Sequence, residues 1–408
     1  MTILEKEEKM DFPKLIILSV LNAKKVGSSE SSKFILTQKL IDGTLEYQKH
    51  WPGQVVLLAE EDASLSNNLD NILVDVNKLP FQVDIIDFKR VQESQAFQTA
   101  SVVLASSDDF RQNHISAICE QLNIPCVYVT EYSLKTRIQI INATTKNPAI
   151  RLRRYFWQMS QEAKQRKAIE QADAIQCNGV PTYEAYREIN PNSMLYFDSR
   201  VAKNMLVNEA EMAKRISHCL DGSPLRLLFS GRLTKIKGAD HLIPIAEELR
   251  RLGVEFEMFI CGDGDLRKSI QMEIARTGLS DSVKMLGVLK FKDELIPFIK
   301  KNIDLFVCCH RQGDPSCTYM ETVSCGVPIV GYANEAFEGF MQHSKAGWAV
   351  KMNHINSMAK KILELSTNRK AIADESYKSL NFVKSHTFEK TFERRINHIK
   401  QAASIQDF

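Results

Sequence analysis

Short apolar runs alternate with helix-period stretches along almost the whole chain. In the first half the runs fall at 15–21, 55–59, 83–86, 102–105 and 126–129, with helical patterns at 33–49 and 111–122 between some of them. In the second half they fall at 225–229, 256–261, 283–286, 305–308 and 328–331, alternating with helical patterns near 239–252, 265–277, 292–300 and 316–325. Apolar runs with intervening helices predict parallel sheets covered on both faces. The expected fold is therefore α/β, with two doubly wound, Rossmann-like domains facing each other across a cleft. The first should span 1–200 and the second 201–387, with the join between 198 and 223. Helical patterns at 353–386 and 388–403 close the chain, and the last is expected to be able to pack back on the first domain.

Length agrees with this division, because 408 residues exceed one ordinary core. A 44% apolar and 25% charged composition describes a globular protein. No apolar run approaches the roughly 20 residues of a membrane-spanning helix. The charged amino terminus, MTILEKEEKMDFPK, has no signal-peptide core, so a cytoplasmic location is expected. The nine cysteines include no Cys-x-x-Cys pair and read as reduced, mostly buried thiols. A net charge of +3 argues against a nucleic-acid partner. The largest local excess is RLRRYFWQMSQEAKQRK at 151–167, with six cations, one acid and three adjacent aromatics. Such a stretch either lies peripherally on an anionic membrane, at its inner face for a cytoplasmic protein, or packs its aromatics inward with its cations solvated.

Candidate chemistry begins with Arg232 and Lys237. Both follow the run at 225–229, so they should emerge at the carboxyl end of a strand, the edge where ligands bind in open α/β sheets. Beside a helix amino terminus two cations can hold a diphosphate; elsewhere they are solvated surface charges. The first strand leads into a segment lacking Gly-x-Gly-x-x-Gly, and the nearest approach, Gly262-Asp263-Gly264, has Arg267 at the third position. Walker, nucleophile-elbow and His-Glu-x-x-His patterns are absent, and the histidines have no ligand-type spacing, so neither a metal nor a built-in cofactor is expected.

In HRQGDPSCTYMETVSCGVPIVGY, residues 310–332, Asp314 and Pro315 read as a helix start, and Gly326 and Pro328 as its end. The free amides of Ser316, Cys317 and Thr318 would point into the cleft with the positive end of the helix dipole. Glu321, about one turn further on, can accept two hydrogen bonds from a ribose diol, or it can simply pair with a lysine. Phosphate on amides and cations, with ribose on a carboxylate, makes a nucleotide-diphosphate site.

These residues resemble family-4 glycosyltransferases, retaining enzymes of the GT-B fold that use nucleotide sugars. The resemblance runs through GRLTKIKGADHLI, FICGDGDLRKSI, VKMLGVL, IDLFVCCH and METVSCGVPIVG, in the family's order and spacing. It covers about 225–350; residues 1–200 match in architecture. It implies that Arg232 and Lys237 hold the donor diphosphate and stabilise the leaving charge. Glu321 matches the second glutamate of the Glu-x7-Glu motif, which binds ribose. Val288 and Leu289 match the segment whose backbone holds the base, and Gly264 the glycine turn lining the cleft. The first glutamate of the motif falls on Gly313, so either the adjacent Asp314 substitutes for it or the amides of GDPSCT hold the sugar. On the acceptor side Glu131 stands where many relatives have a histidine. Lys24, Lys25, Gly27 and Ser28 occupy the loop that relatives place near the diphosphate, and Asp108, Asp109 and Asn113 follow another strand as acceptor contacts. The implied reaction is transfer of a sugar to a hydroxyl of a glycan or lipid-linked glycan, as in surface polysaccharide or glycolipid synthesis. The alternatives are a nucleotide-sugar epimerase or hydrolase, and a non-catalytic binding subunit of the same fold.

Overall fold

The computed structural model describes residues 12–28, 32–62 and 71–405. The charged amino terminus read above lies, up to residue 11, outside the described residues. The first half contains, in order, β1 Lys14–Leu18, β2 Lys24–Lys25, β3 Lys33–Thr37, α1 Gln38–His50, β4 Gln54–Ala59, β5 Asn71–Asp75, β6 Gln82–Ile85, α2 Gln95–Gln98, β7 Val102–Ser106, α3 Ile115–Leu122, β8 Cys126–Thr130, α4 Leu134–Thr144, α5 Pro148–Glu170, β9 Ala174–Asn178, α6 Val180–Tyr186 and β10 Ser193–Tyr196. The second half continues with α7 Glu209–Leu220, β11 Leu225–Ser230, α8 Leu242–Arg251, β12 Phe256–Cys261, α9 Arg267–Thr277, β13 Val283–Gly287, α10 Ile296–Asn302, β14 Leu305–Cys308, α11 Cys317–Ser324, β15 Ile329–Tyr332, α12 Glu335–Ser344, β16 Gly347–Val350, α13 Ile355–Thr367, α14 Arg369–Val383 and α15 Phe388–Ala402.

Two parallel sheets carry the molecule. The first has strand order β10-β9-β8-β7-β1-β4-β6, the second β13-β12-β11-β14-β15-β16. The central strands are buried along their length, as their runs of Val, Ile, Leu and Phe require when helices cover both faces. In each sheet the order reverses beside the first strand, between β1 and β7 and between β11 and β14. At such switch points adjoining loops part and leave a crevice at the carboxyl edge. Each Rossmann-like domain thus has a crevice at the carboxyl edge of its sheet.

Several elements differ from the sequence reading. Residues 33–37, expected to open a helix, form β3 in a small antiparallel sheet ordered β2-β3-β5. Its Phe34 and Leu36 are buried, so the run KFILT alternates as a half-buried strand does. Thr37 then caps α1 by accepting from the Leu40 amide. Strands β9, β10 and β16 were not anticipated. Helix α3 begins at Ile115 rather than 111, and the pattern at 353–386 divides into α13 and α14 at Asn368, which caps the second. The last helix, α15, lies against α1 and the first sheet. Its Phe392 ring meets Tyr47 edge-on at 5.2 Å, and Gln176 of β9 donates to the Arg395 carbonyl at 2.8 Å.

Candidate functional site

The β11–β14 switch point is built from two loops that interlock. After β11 the chain runs through Arg232 to Lys237, and Arg311 ties that loop to the end of β14. Its amide donates to the Ile236 carbonyl at 3.0 Å, and its guanidinium reaches the Lys235 carbonyl at 2.7 Å and Asp240 at 2.9 Å. Lys237 is thereby buried, and its ammonium bonds Asp314 Oδ2 at 2.8 Å. Arg232 stays exposed, close enough for its charge to act on His310 and Tyr132.

Polar atoms around Lys237 are left without partners. Asp314 Oδ1, Thr234 Oγ1 and both ring nitrogens of His310 are buried and unbonded. Burial first, then the charges of Lys237 and Arg232, push His310 well below its ordinary range, so it is a neutral imidazole. Buried polar groups are ordinarily paired, and a cluster of such orphans marks a place where a polar ligand would supply the missing bonds.

Pro315 and Ser316 lead into α11, and Ser316 makes no side-chain cap, leaving the first amides of the helix unclaimed by a cap. Ser316, Cys317 and Thr318 are half-buried there. They face the first domain, since the Cys317 thiol lies 3.5 Å from Asp198 Oδ2. Glu321, one turn on, is buried. Its partner is not a lysine but Arg200, whose Nε and Nη2 bond Oε1 at 3.0 and 2.6 Å. The Arg200 guanidinium also stacks 4.4 Å from the Phe291 ring centre. Sequence reasoning missed Arg200, since nothing local to FDSRV distinguishes it from other cations at a strand end.

Gly264 does not itself form a recognition surface. It has a φ of +154°, and a Cβ there would meet the Leu233 backbone at 2.7 Å, so glycine is needed to press the β12 loop against the β11 loop. Val288 is exposed and Leu289 half-buried just beyond β13. The position of the missing glutamate has a physical explanation too. The Gly313 amide donates to Gln139 Oε1 at 2.8 Å, and its carbonyl accepts from Thr136 Oγ1 at 3.1 Å, both on α4 of the first domain. A Cβ on Gly313 would lie 2.7 Å from Glu335 Oε2. Glu335 in turn accepts from Gln139 at 3.0 Å and pairs with Lys135. The side-chain space at 313 is occupied by another carboxylate.

On the first domain a cavity of about 800 Å³ opens at the β1–β7 switch point, bordered by Ser19–Asn22, Asp108, Asp109, Glu131 and Arg395. Asp108 accepts the backbone amides of Glu131 and Tyr132, and burial pushes its carboxyl up to about 7. Asp109 is held by Arg111 at 2.6 Å, which also pairs with Glu60 at 2.7 Å. Both aspartates therefore have structural duties at the cavity wall. Asn113 lies before α3 with its Oδ1 buried and unpartnered. Burial pushes the Glu131 carboxyl up, opposed by Lys39, and Asn178 bonds it. Lys24 and Lys25 form β2, and Gly27 and Ser28 are exposed in the turn after it. They are displaced from the cavity border formed by residues 19–22, because pairing with β3 draws them into the small sheet.

A second cavity of about 810 Å³ lies between α1, α15 and the loops bearing Arg200 and Phe291. It shares Val129, Glu131 and Arg395 with the first. Arg395, also missed from sequence, is buried, bonds Gln176 Oε1 at 2.8 Å and stacks on Tyr196. Lys39 and Asp198 pair at 2.7 Å beside it. All nine cysteines are free thiols. Among the described residues no group of His, Cys, Asp and Glu is arranged to hold a metal ion, and no helix is long and apolar enough to cross a membrane.

Comparison with known proteins shows what part of this chain is similar to. Residues 212–380 match the model described as glycosyl transferases group 1. The amylovoran biosynthesis glycosyltransferase AmsK of Erwinia amylovora is 30% identical over 149 residues, 35% of this chain and 36% of that protein. The putative colanic acid biosynthesis glycosyltransferase WcaL of Salmonella typhimurium is 24% identical over 151 residues, 36% of this chain and 37% of its own. The match thus spans little more than a third of each relative's length. Among solved structures, Anabaena Alr3699/HepE in complex with UDP superposes with a TM-score of 0.64 at 14% identity, covering 95% of this chain and 100% of that one. Residues 212–380 are thus similar to the glycosyl transferases group 1 family, in a chain whose two Rossmann-like domains have the GT-B fold.

Proposed function

We propose that the protein is a retaining, metal-independent glycosyltransferase of hexosyltransferase type. It moves a sugar from a nucleotide-diphosphate donor to a hydroxyl of a glycan or lipid-linked glycan in surface polysaccharide or glycolipid synthesis. The observation that carries this reading is the set of unpartnered buried polar atoms around Lys237, flanked by Arg232 and the uncapped start of α11. An ammonium has three donors, so Lys237 can keep Asp314 and still hold a phosphate oxygen. Asp314 Oδ1 is left to accept a donor-sugar hydroxyl, the role that Gly313 cannot fill. Glu321, with Oε1 engaged by Arg200, keeps Oε2 for ribose.

The leaving diphosphate poses the main electrostatic problem, and fixed cations with oriented amides in a crevice answer it. No protein nucleophile is required if the diphosphate itself takes the proton of the incoming hydroxyl on the same face. The cavity bordered by Glu131 would take the acceptor. HepE is described in complex with UDP, and the relatives' names concern amylovoran and colanic acid biosynthesis; these favour a nucleotide-sugar donor and a glycan product here.

The test is a thermal-shift screen of UDP-, GDP- and ADP-sugars on native protein, Arg232→Ala and Glu321→Ala, since a ligand that binds only the folded state raises its melting temperature. A shift in native protein that both variants lose is expected. Incubation with and without glycolipid extract then separates the readings. Transfer only with acceptor supports the proposal, nucleotide release without acceptor favours a hydrolase, and binding with neither favours a non-catalytic subunit.

A further inference from the structure

Helix α5 breaks the rule that apolar side chains face the core. Its inner face buries Glu162, Gln165, Ala168 and Ile169, while its amino-terminal half turns Leu152, Phe156, Trp157 and Met159 outward. Phe156 is 69% exposed and Trp157 47%. The sequence alternative in which these aromatics pack inward is therefore incorrect. The inner face is taken by a polar contact instead, with Glu162 bonding Arg137 and the Tyr186 hydroxyl. Outside the helix, Phe110 is also exposed and meets Trp157 edge-on at 5.8 Å. Phe110 borders the acceptor-side cavity. The apolar patch is thus continuous with the rim of that cavity.

Charge decides what could cover it. Lys146, Arg153 and Arg154 are exposed around the patch, and Lys164, Arg166 and Lys167 continue the outer surface of α5. Of the two acids of the helix, Glu162 is turned inward and pairs with Arg166 at 3.6 Å, and Glu170 lies at the far end, so the cations beside the aromatics, Lys146, Arg153 and Arg154, are not offset by either. Aromatic and aliphatic side chains ringed by Arg and Lys match a bilayer surface, where rings enter the headgroup layer and guanidinium groups meet lipid phosphate. Exposed apolar patches on soluble folds mark interaction sites.

We propose that the outer face of α5, with Phe110, is a docking surface for an anionic lipid bilayer, and that it sets the acceptor-side cavity against the membrane. The second half of this statement rests on the acceptor role assigned above; the first does not. A lipid-linked acceptor would then meet Glu131 and Asp109 without leaving the bilayer surface.

The experiment is flotation of the full chain with vesicles of phosphatidylglycerol and phosphatidylethanolamine, against vesicles of phosphatidylcholine alone. Native protein should float with the anionic vesicles and far less with the neutral ones. Phe156→Ser/Trp157→Ser and Arg153→Glu/Arg154→Glu should each lower anionic partitioning by about tenfold or more, with circular dichroism and nucleotide-induced thermal shifts unchanged. Absence of native flotation, or flotation equal in both variants, overturns the proposal. So does a native dimer that the aromatic variant converts to monomer, which would assign the patch to a second copy of the chain. Flotation with no nucleotide shift would leave the docking surface standing while removing the transferase reading.

Discussion

Arg200 and Glu321 form a two-bond ion pair that joins the segment after the first sheet to the helix at the edge of the second. The buried carboxylate is thereby aimed, with one oxygen engaged and the other left for a ligand. Arg200 is itself backed by the Phe291 ring, so its fork is held by stacking as well as by hydrogen bonds.

Replacing Arg200 by alanine should therefore weaken nucleotide binding although this residue lies outside the motifs of the second domain. Charge-assisted bonds of this kind are worth about 1.5–3 kcal/mol, and partial solvent exposure of Arg200 lowers the expected loss to about tenfold in Kd. Calorimetric titration with the nucleotide found in the thermal-shift screen measures it. Unchanged affinity would show that Glu321 needs no partner to be positioned.

Lys237 and Asp314 should behave as a coupled pair. Lys237→Ala strips the half-buried aspartate of its counter-charge, which should cost about 3 kcal/mol of stability, as well as roughly a hundredfold in transfer rate. Adding Asp314→Ala should return most of the stability and none of the rate. Urea unfolding and turnover on the same three variants check both halves. A double variant no more stable than Lys237→Ala would mean that the 2.8 Å contact contributes nothing to the fold.

These two predictions also show where sequence reading stopped. Strands such as β7 and β14 were legible because runs like Val102–Ser106 are apolar on both faces, and the positions of Arg232, Lys237 and Glu321 in the fold were legible because each sits at a fixed offset from a strand or helix end. Arg200 pairs with a residue 121 positions away, and Arg395 reaches the first domain from the last helix. No local pattern encodes either. Residues 33–37 were misread because KFILTQKLI satisfies a helical spacing as readily as an alternating one, and only pairing with β5 chooses between them. The outward aromatics of α5 were ambiguous for a similar reason: the helix period fixes which residues share a face, and not which face meets the core.

Asp108 should make stability fall as pH rises through the acid range. Its carboxyl titrates near 7 in the folded chain, chiefly through burial, against 3.8 as its ordinary value. Between those values the unfolded state has released a proton that the folded state keeps, so ionisation favours unfolding. A shift of this size corresponds to at most about 4 kcal/mol, reduced by water reaching the half-buried carboxylate from the cavity. Asp108→Asn should flatten the stability profile between about pH 4 and 7. Denaturant midpoints measured across that window decide it, and an unaltered slope in the variant would assign the titration to another group.

Gly313 and Glu335 compete for one space. Gly313→Ala puts a Cβ 2.7 Å from Glu335 Oε2, within a carboxylate already held by Lys135 and Gln139. The displaced atom ends a side chain that can rotate, so the cost should be modest, about 1–2 kcal/mol, and should be accompanied by loosening of the Gln139 and Thr136 bonds that bind this loop to α4. In a Glu335→Ala background the same alanine should cost little, because the obstacle is gone; a coupling of about 1 kcal/mol between the two sites is expected. Hydrogen exchange at residues 312–316 reports the loosening independently of stability. Equal costs of Gly313→Ala in both backgrounds would mean that the glycine serves the backbone clasp alone, and that Glu335 does not fill the place of the missing side chain.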